Sequence, residues 1–360
     1  MNSLLAVDIG SGTQDVLVYH PESEMENNIK MILPSQTQIV AKRIRECTQM
    51  GSDIFLSGYL MGGGASSKAI KEHLSYGYRV YATEEAALTL KDNLNKVKEI
   101  GVEIVESPPQ NCDQIELKDI DISGLKEALA LFEEELPADY ALAVQDHGFA
   151  PDSSNRLFRF GHWEKFLKSG GYLADLIYDE NSVPDYFTRM HAVMEAVQTQ
   201  SVRSGHKVWI TDTGAAAILG ALEDNNVNRE VTQNNGMIVN IGNQHTIAFL
   251  VVGQRVLGVF EHHTKKLTEE KLQHHLDRFV LGELSNEEVL EDKGHGCMRV
   301  PEADEHKFNF IAVTGPRRNL GKNLGYMAIP HGDMMLSGAF GLVRGVKNYV
   351  YRKDNLNVRK

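Results

Sequence analysis

Short apolar runs alternate along the chain with glycine-bearing turns and with longer amphipathic stretches. Leu4-Leu5-Ala6-Val7 reads as a buried strand, Gly10-Ser11-Gly12-Thr13 as a turn and Val16-Leu17-Val18-Tyr19 as a returning strand, which together predict a hairpin. Ile54-Phe55-Leu56 predicts a strand, Gly62-Gly63-Gly64 a loop and Ala65 to Leu74 a helix. A strand at Arg79-Val80-Tyr81 and a helical stretch from Glu84 to Leu90 follow. The pattern continues with a strand at Val102 to Val105, a helix from Ser123 to Leu136, a strand at Tyr140 to Val144, a helix from Tyr186 to Val202 and a strand at Lys207 to Ile210. Such alternation predicts α/β layers.

Between Asn225 and Gly236 the chain turns polar, a turn or hinge composition, and the boundary between two lobes is expected here, with residues 1–225 before it and 226–360 after it. Beyond it the opening pattern returns. Met237 to Ile241 predicts a strand, Gly242-Asn243-Gln244 a turn, and Thr246 to Val252 and Val256 to Phe260 two more strands. A helix is expected from Thr268 to Val280, and another from Ser285, which is spaced from Glu288 as a capping box. Phe308 to Val313 predicts a late strand, and a glycine-punctuated helix from Met334 to Tyr349 closes the fold and can return to the first lobe. A chain of 360 residues exceeds what one core usually supports, which agrees with two lobes.

Charge narrows the partners. Lys plus Arg number 37 and Asp plus Glu 49, so the formal charge is 37 − 49 = −12, and no basic run offers the stripe a nucleic-acid binder needs. With 42% hydrophobic residues the chain has the material for packed cores. The apolar run Ile247 to Val252 is far shorter than the roughly 20 residues of a spanning helix, and Asp8 interrupts the opening segment, so neither a membrane anchor nor a secretory leader is expected. The three cysteines, Cys47, Cys112 and Cys297, are too scattered for a local cluster or zinc cradle, and the expected compartment is the cytoplasm.

Asp8-Ile9-Gly10-Ser11-Gly12-Thr13-Gln14-Asp15 delivers a carboxylate from a strand to a glycine turn whose backbone N–H groups can approach an anion. On its own this reads first as an ordinary hairpin with glycine in its turn. Val239-Asn240-Ile241-Gly242-Asn243-Gln244-His245-Thr246 repeats the design in the second half, and two such turns facing one another can grip a polyphosphate. Ile210-Thr211-Asp212-Thr213-Gly214-Ala215-Ala216-Ala217, Ile311-Ala312-Val313-Thr314-Gly315-Pro316, and His331-Gly332-Asp333 with Gly338-Ala339-Phe340-Gly341 complete an ordered set of five segments.

In that order the segments resemble the actin-like ATPase superfamily of sugar kinases, heat-shock chaperone ATPases and actin. The resemblance implies a two-lobed, ribonuclease H-like α/β fold with a nucleotide cleft between the lobes, and ATP with Mg²⁺ as cofactors. It assigns Asp8 to the hydrated metal, Gly10, Ser11, Gly12, Thr13 and Gln14 to the first phosphate loop, and Asn240, Gly242, Asn243, His245 and Thr246 to the second. Gly315, Pro316 and Arg317 fall to adenosine, with Arg317 and Arg318 alternatively on solvated surface. Asp212 becomes the carboxylate that orients or deprotonates the attacking group, or the N-cap of the following helix, and one residue can serve both roles. Asn240 departs from the superfamily, which carries an acid there, and weakens the case for hydrolysis.

The function implied is Mg-dependent phosphotransfer to a small molecule or ATP hydrolysis; the alternatives are a non-hydrolysing nucleotide sensor or partner-binding protein, or an activator-type ATPase for another enzyme. The chain is further similar to a prokaryotic branch whose members carry a name borrowed from pyruvate formate-lyase activating enzymes. That name requires three cysteines in a tight CxxxCxxC, which this sequence lacks.

Gly63 and Gly64, at a helix start, and Asp146 and His147, after a strand, are candidates for an anionic or small-molecule substrate. Adjacent histidines such as His262-His263 and His274-His275 point apart and cannot readily share one ion, so no metal is assigned to the 14 histidines. Gly315 to Lys322 is not a P-loop, because its spacing is one residue too long and Asn323 stands where a hydroxyl residue belongs.

Overall fold

The computed structural model describes residues 2–201 and 205–358, with side chains to residue 353. Strands β1 (Leu4–Ile9) and β2 (Thr13–Tyr19) form the expected hairpin, and β3 (Ile29–Pro34) adds to it antiparallel. Helix α1 (Gln36–Met50) was not expected, although Val40, Ala41, Ile44 and Cys47 bury one helical stripe. Then comes a separate four-stranded parallel sheet of β4 (Asp53–Gly58), β5 (Val80–Ala82), β6 (Val102–Ile104) and β7 (Cys112–Leu117), in the order β6-β5-β4-β7. Its connections carry α2 (Gly64–Ser75), α3 (Glu84–Leu88) and α4 (Leu94–Ile100), and with α1 it encloses its own apolar core.

The chain returns through α5 (Ile122–Ala130), which stops short of the expected Leu136. Three acids, Glu133 to Glu135, oppose a helix C-terminus, and Pro137 bars continuation. Strand β8 (Asp139–Val144) inserts parallel to β1, between β1 and β10, and is buried along its whole length because its alternate residues enter two different apolar cores, one on each face. Helix α6 (Asn155–Lys168), β9 (Tyr178–Asp179), α7 (Thr188–Gln200), β10 (Val208–Thr211) and α8 (Thr213–Ala221) complete a six-stranded sheet in the order β3-β2-β1-β8-β10-β9. Val202, the expected end of α7, lies outside the described residues.

The polar stretch expected to be a hinge is instead helix α9 (Asn225–Asn234). Asp224 caps it by accepting from the backbone N–H groups of Asn226 and Val227, and Val227 and Val231, one turn apart, bury its inner face. A third sheet follows from β11 (Gly236–Ile241), β12 (His245–Val252) and β13 (Arg255–His263). It is completed, past α10 (Glu269–Leu281) and α11 (Asn286–Glu291), by β14 (Gly296–Arg299), β15 (Phe310–Thr314) and β16 (Tyr326–Met327). Ser285 and Glu288 form the expected capping box on α11.

This sheet has the order β14-β13-β12-β11-β15-β16. Both six-stranded sheets therefore share one plan: an antiparallel meander whose first strand, β1 or β11, also pairs in parallel with a later strand, β8 or β15. One apolar core contains residues of both sheets, with α8 and α12 (Ser337–Val358) among its members. These two helices cross backbone to backbone. A Cβ at Gly220 would lie 1.6 Å from the Ser337 carbonyl oxygen, and one at Gly341 would lie 1.9 Å from that of Ala216, so only glycine fits. No helix among the described residues is long and apolar enough to cross a membrane.

Candidate functional site

The β1–β2 and β11–β12 turns close alike: Gly10 N–H donates to the Thr13 carbonyl at 2.9 Å, and Gly242 N–H to the His245 carbonyl at 2.9 Å. They meet across a cavity of about 700 Å³, and a Cβ on Gly12 would lie only 3.3 Å from Asn243 Nδ2. Asp8, Gly10, Ser11 and Thr13 line it from the first turn, and Asn240, Gly242, Asn243 and His245 from the second. Gly63, Gly64, Asp146, His147, Asp212, Gly315 and Pro316 also reach it, as do Lys91 and Lys96 from the parallel-sheet unit.

Four of the expected residues do not line the cavity: Gly12, which packs against Asn243, and three others. Gln14 is buried in the sheet, where its Nε2 donates to the Pro34 carbonyl. Thr246 is fully buried against Thr264, their hydroxyls 3.0 Å apart. Arg317 is exposed, its backbone N–H donating to the Ile241 carbonyl and its carbonyl accepting from Leu320 N–H.

Asp8 and Asp15 stand opposite one another in the β1–β2 register, and each keeps a buried Oδ1 with no hydrogen-bond partner. Burial holds the Asp8 carboxyl well above its usual range, and the neighbouring charges of Asp15 and Asp212 add to this. Burial pushes Asp15 up to about 7, against a hydrogen bond from Thr13 that lowers it. Orphaned oxygens in this setting call for protons or a cation. The start of α12 closes on the same carboxylate, since a Cβ at Gly338 would fall 1.9 Å from Asp8 Oδ2.

Asp212 both caps α8, accepting from Gly214 N–H at 2.9 Å, and pairs with Arg159 of α6 at 2.7 and 3.2 Å. Arg159 is buried and gives its Nε to Glu261 of β13 at 2.9 and 3.0 Å and a further bond to the Asp146 carbonyl. Glu261 accepts in addition from Trp163 Nε1 at 3.0 Å and lies 2.8 Å from His245 Nδ1. The two flanking carboxylates keep Arg159 charged despite burial, and Arg159 in turn holds Glu261 well below the usual carboxylate range. Asp146 is spoken for by the backbone, accepting from Gly148 and Met190. Gly315, at φ 98°, passes so close to Asn240 that a Cβ would meet its Oδ1 at 2.4 Å.

Sequence reasoning missed Arg159 and Glu261. A signal existed for the first, because Arg159, Phe160, Trp163 and Leu167 form a buried helical stripe in which the charged member is out of place.

A family model matches residues 61–320, more than half of the chain. The chain belongs to that family, described as "Putative pyruvate format-lyase activating enzyme (DUF1786)". No curated protein matches it. The matched stretch of this family member includes the Arg159 network and the second turn and begins after Asp8. The iron–sulfur cluster that the family description implies finds no fitting donors. Cys47 on α1 and Cys297 on β14 are buried, which pushes their thiols up to about 11 and about 12, and Cys297 Sγ donates to the Leu284 carbonyl. Cys112, on β7, is raised by burial as well. All three are free thiols on different elements, and no step through such a cluster follows from them.

Proposed function

We propose that the protein has a two-lobed actin-like fold and binds ATP with Mg²⁺ in the cavity between its two glycine turns, for phosphotransfer to a small molecule or for hydrolysis. The observation that carries this reading is the matched pair of turns, closed by identical hydrogen bonds, with unpartnered Asp8 and Asp15 oxygens beside the first of them. Support for the fold comes from the strand plan common to both six-stranded sheets and from the α8–α12 crossing.

Asp8 and Asp15 suit a hydrated divalent cation, because each keeps one buried oxygen, a hard donor, without a protein partner. Magnesium, when bound, supplies charge neutralisation across the phosphates. The backbone N–H groups of the two turns cradle the phosphate oxygens, and Lys91 and Lys96 add positive charge at the cavity lining. Asp212 orients the attacking group.

A second reading has its own observation. Both Asp212 oxygens are engaged by Arg159 or Gly214, and Asn240 stands where an acid would complete the metal's surroundings, so a nucleotide-sensing or activator protein that binds without turnover is also supported. Calorimetric titration with ATP and Mg²⁺, beside phosphate release by wild type and Asp212→Asn, separates the two. Binding with turnover lost in Asp212→Asn supports the enzyme; binding with no turnover supports the sensor. No binding to wild type sinks both.

A further inference from the structure

The ends of three strands bring three histidines together. His147 follows β8, His245 opens β12 and His295 immediately precedes β14. Each offers a ring nitrogen, and the three nitrogens lie within 4.8 Å of one another. His295 is fully buried, yet neither its Nδ1 nor its Nε2 has a hydrogen-bond partner. A solvent-inaccessible imidazole with two idle nitrogens is hard to explain as packing, since buried polar groups are otherwise satisfied. Its neighbours are the rings of His245 at 4.4 Å, His263 at 4.5 Å and His147 at 6.1 Å between centroids.

The surroundings fit a metal. His245 places Nδ1 2.8 Å from Glu261 Oε1 and 2.7 Å from Gln145 Nε2, so that nitrogen is engaged by the protein and the other is left to ligate. Glu261 and Asp212 outweigh Arg159 by one negative charge. The other histidine cluster, His262 and His275 around Asp292, differs: both rings bond one carboxylate oxygen and Lys271 occupies the other.

We propose that His147, His245 and His295 form a site for a divalent transition metal of the zinc type, distinct from the magnesium position near Asp8. Three imidazoles complete only part of a tetrahedron, and since His147 and His245 line the cavity, the remaining position opens on it and accepts a water or an anionic oxygen. Ligand nitrogens around zinc lie about 3.3 Å apart at bond lengths near 2.0 Å, so from separations within 4.8 Å they close in by at most about 1.5 Å on binding. The inference stands without the ATP reading.

The test is titration of chelator-treated, untagged protein with Co²⁺ and Zn²⁺, without nucleotide, following the visible Co²⁺ bands and metal content. Wild type is expected to bind one ion per chain with a tetrahedral Co²⁺ spectrum. Since loss of an outer-sphere partner already weakens metal sites by about 10–100-fold, His147→Gln and His295→Gln each lose at least that much, while His275→Gln binds as wild type does. His147 is only partly buried and lines the cavity, so its variant tests the site even where the fully buried His295→Gln fails to fold. No ion bound by wild type, unchanged binding in His147→Gln, or loss in His275→Gln instead would overturn the proposal.

Discussion

The turn after β1 and the turn after β11 share a hydrogen bond, a place in the strand order and a common cavity, but they differ in charge. The first presents Asp8 with Asp15 across the ladder; the second presents Asn240 with Ile247 across it, and carries its polarity in Asn243 and His245. Backbone geometry is therefore duplicated where chemistry is not. The lesson is that the glycine turn repeats a backbone shape, while the residue two positions before its first glycine decides whether the turn carries a carboxylate or an amide.

Arg159 ties the two regions, reaching Asp212 beside the first sheet and Glu261 in the third. Arg159→Leu should have the largest effect, a loss of about 3–5 kcal/mol in urea unfolding, because it strands two buried carboxylates. Asp8→Asn makes the first turn resemble the second. It should weaken Mg-dependent ATP binding by about 10–100-fold in calorimetry, while raising the thermal stability of the ligand-free protein by removing a buried carboxyl whose ionisation burial opposes.

Asp15 gives the comparison a pH axis. Its carboxyl is raised from 3.8 to about 7 in the folded protein, so between those values the native state holds a proton that the unfolded chain has released. Its contribution to stability is present below that window and is lost as pH rises through it. Asp15→Asn should abolish that fall, worth about 1–3 kcal/mol between pH 4 and 7, with saturating Mg²⁺ narrowing the gap between variant and wild type. Asn240→Asp makes the second turn resemble the first and should tighten Mg-ATP binding by about 2–5-fold; weaker binding would show that the second turn does not face the metal. Arg317→Ala, exposed and outside the cavity, should leave affinity within about 2-fold.

Local patterns were the legible part of this fold. Both hairpins could be read because each apolar run stops at a glycine turn and restarts, and the capping box at Ser285 because it lies within four residues. Helix α9 escaped because its polar composition hides the pair Val227 and Val231, and α6 because Arg159 occupies a position that the pattern reserves for an apolar residue. The histidine cluster had no local signature at all. His147, His245 and His295 are distant in the chain and meet only because β8 and β12 belong to sheets whose pairing is long-range, with β14 joined to β13. The common strand plan was hidden for the same reason, since sequence displays the meanders but not the strands that later insert beside them.

Helices α8 and α12 touch where Gly220 and Gly341 leave no room for a methyl group, and each helix begins at the cavity: α8 at Asp212, α12 at Gly338 against Asp8. The crossing thus works like a machinist's gauge block, setting how far apart two acids stand from a contact deep in the core. Neither helix can acquire a larger residue there unless its partner yields, so the two halves of the molecule can vary freely at their surfaces yet must be inherited as a matched pair at this joint.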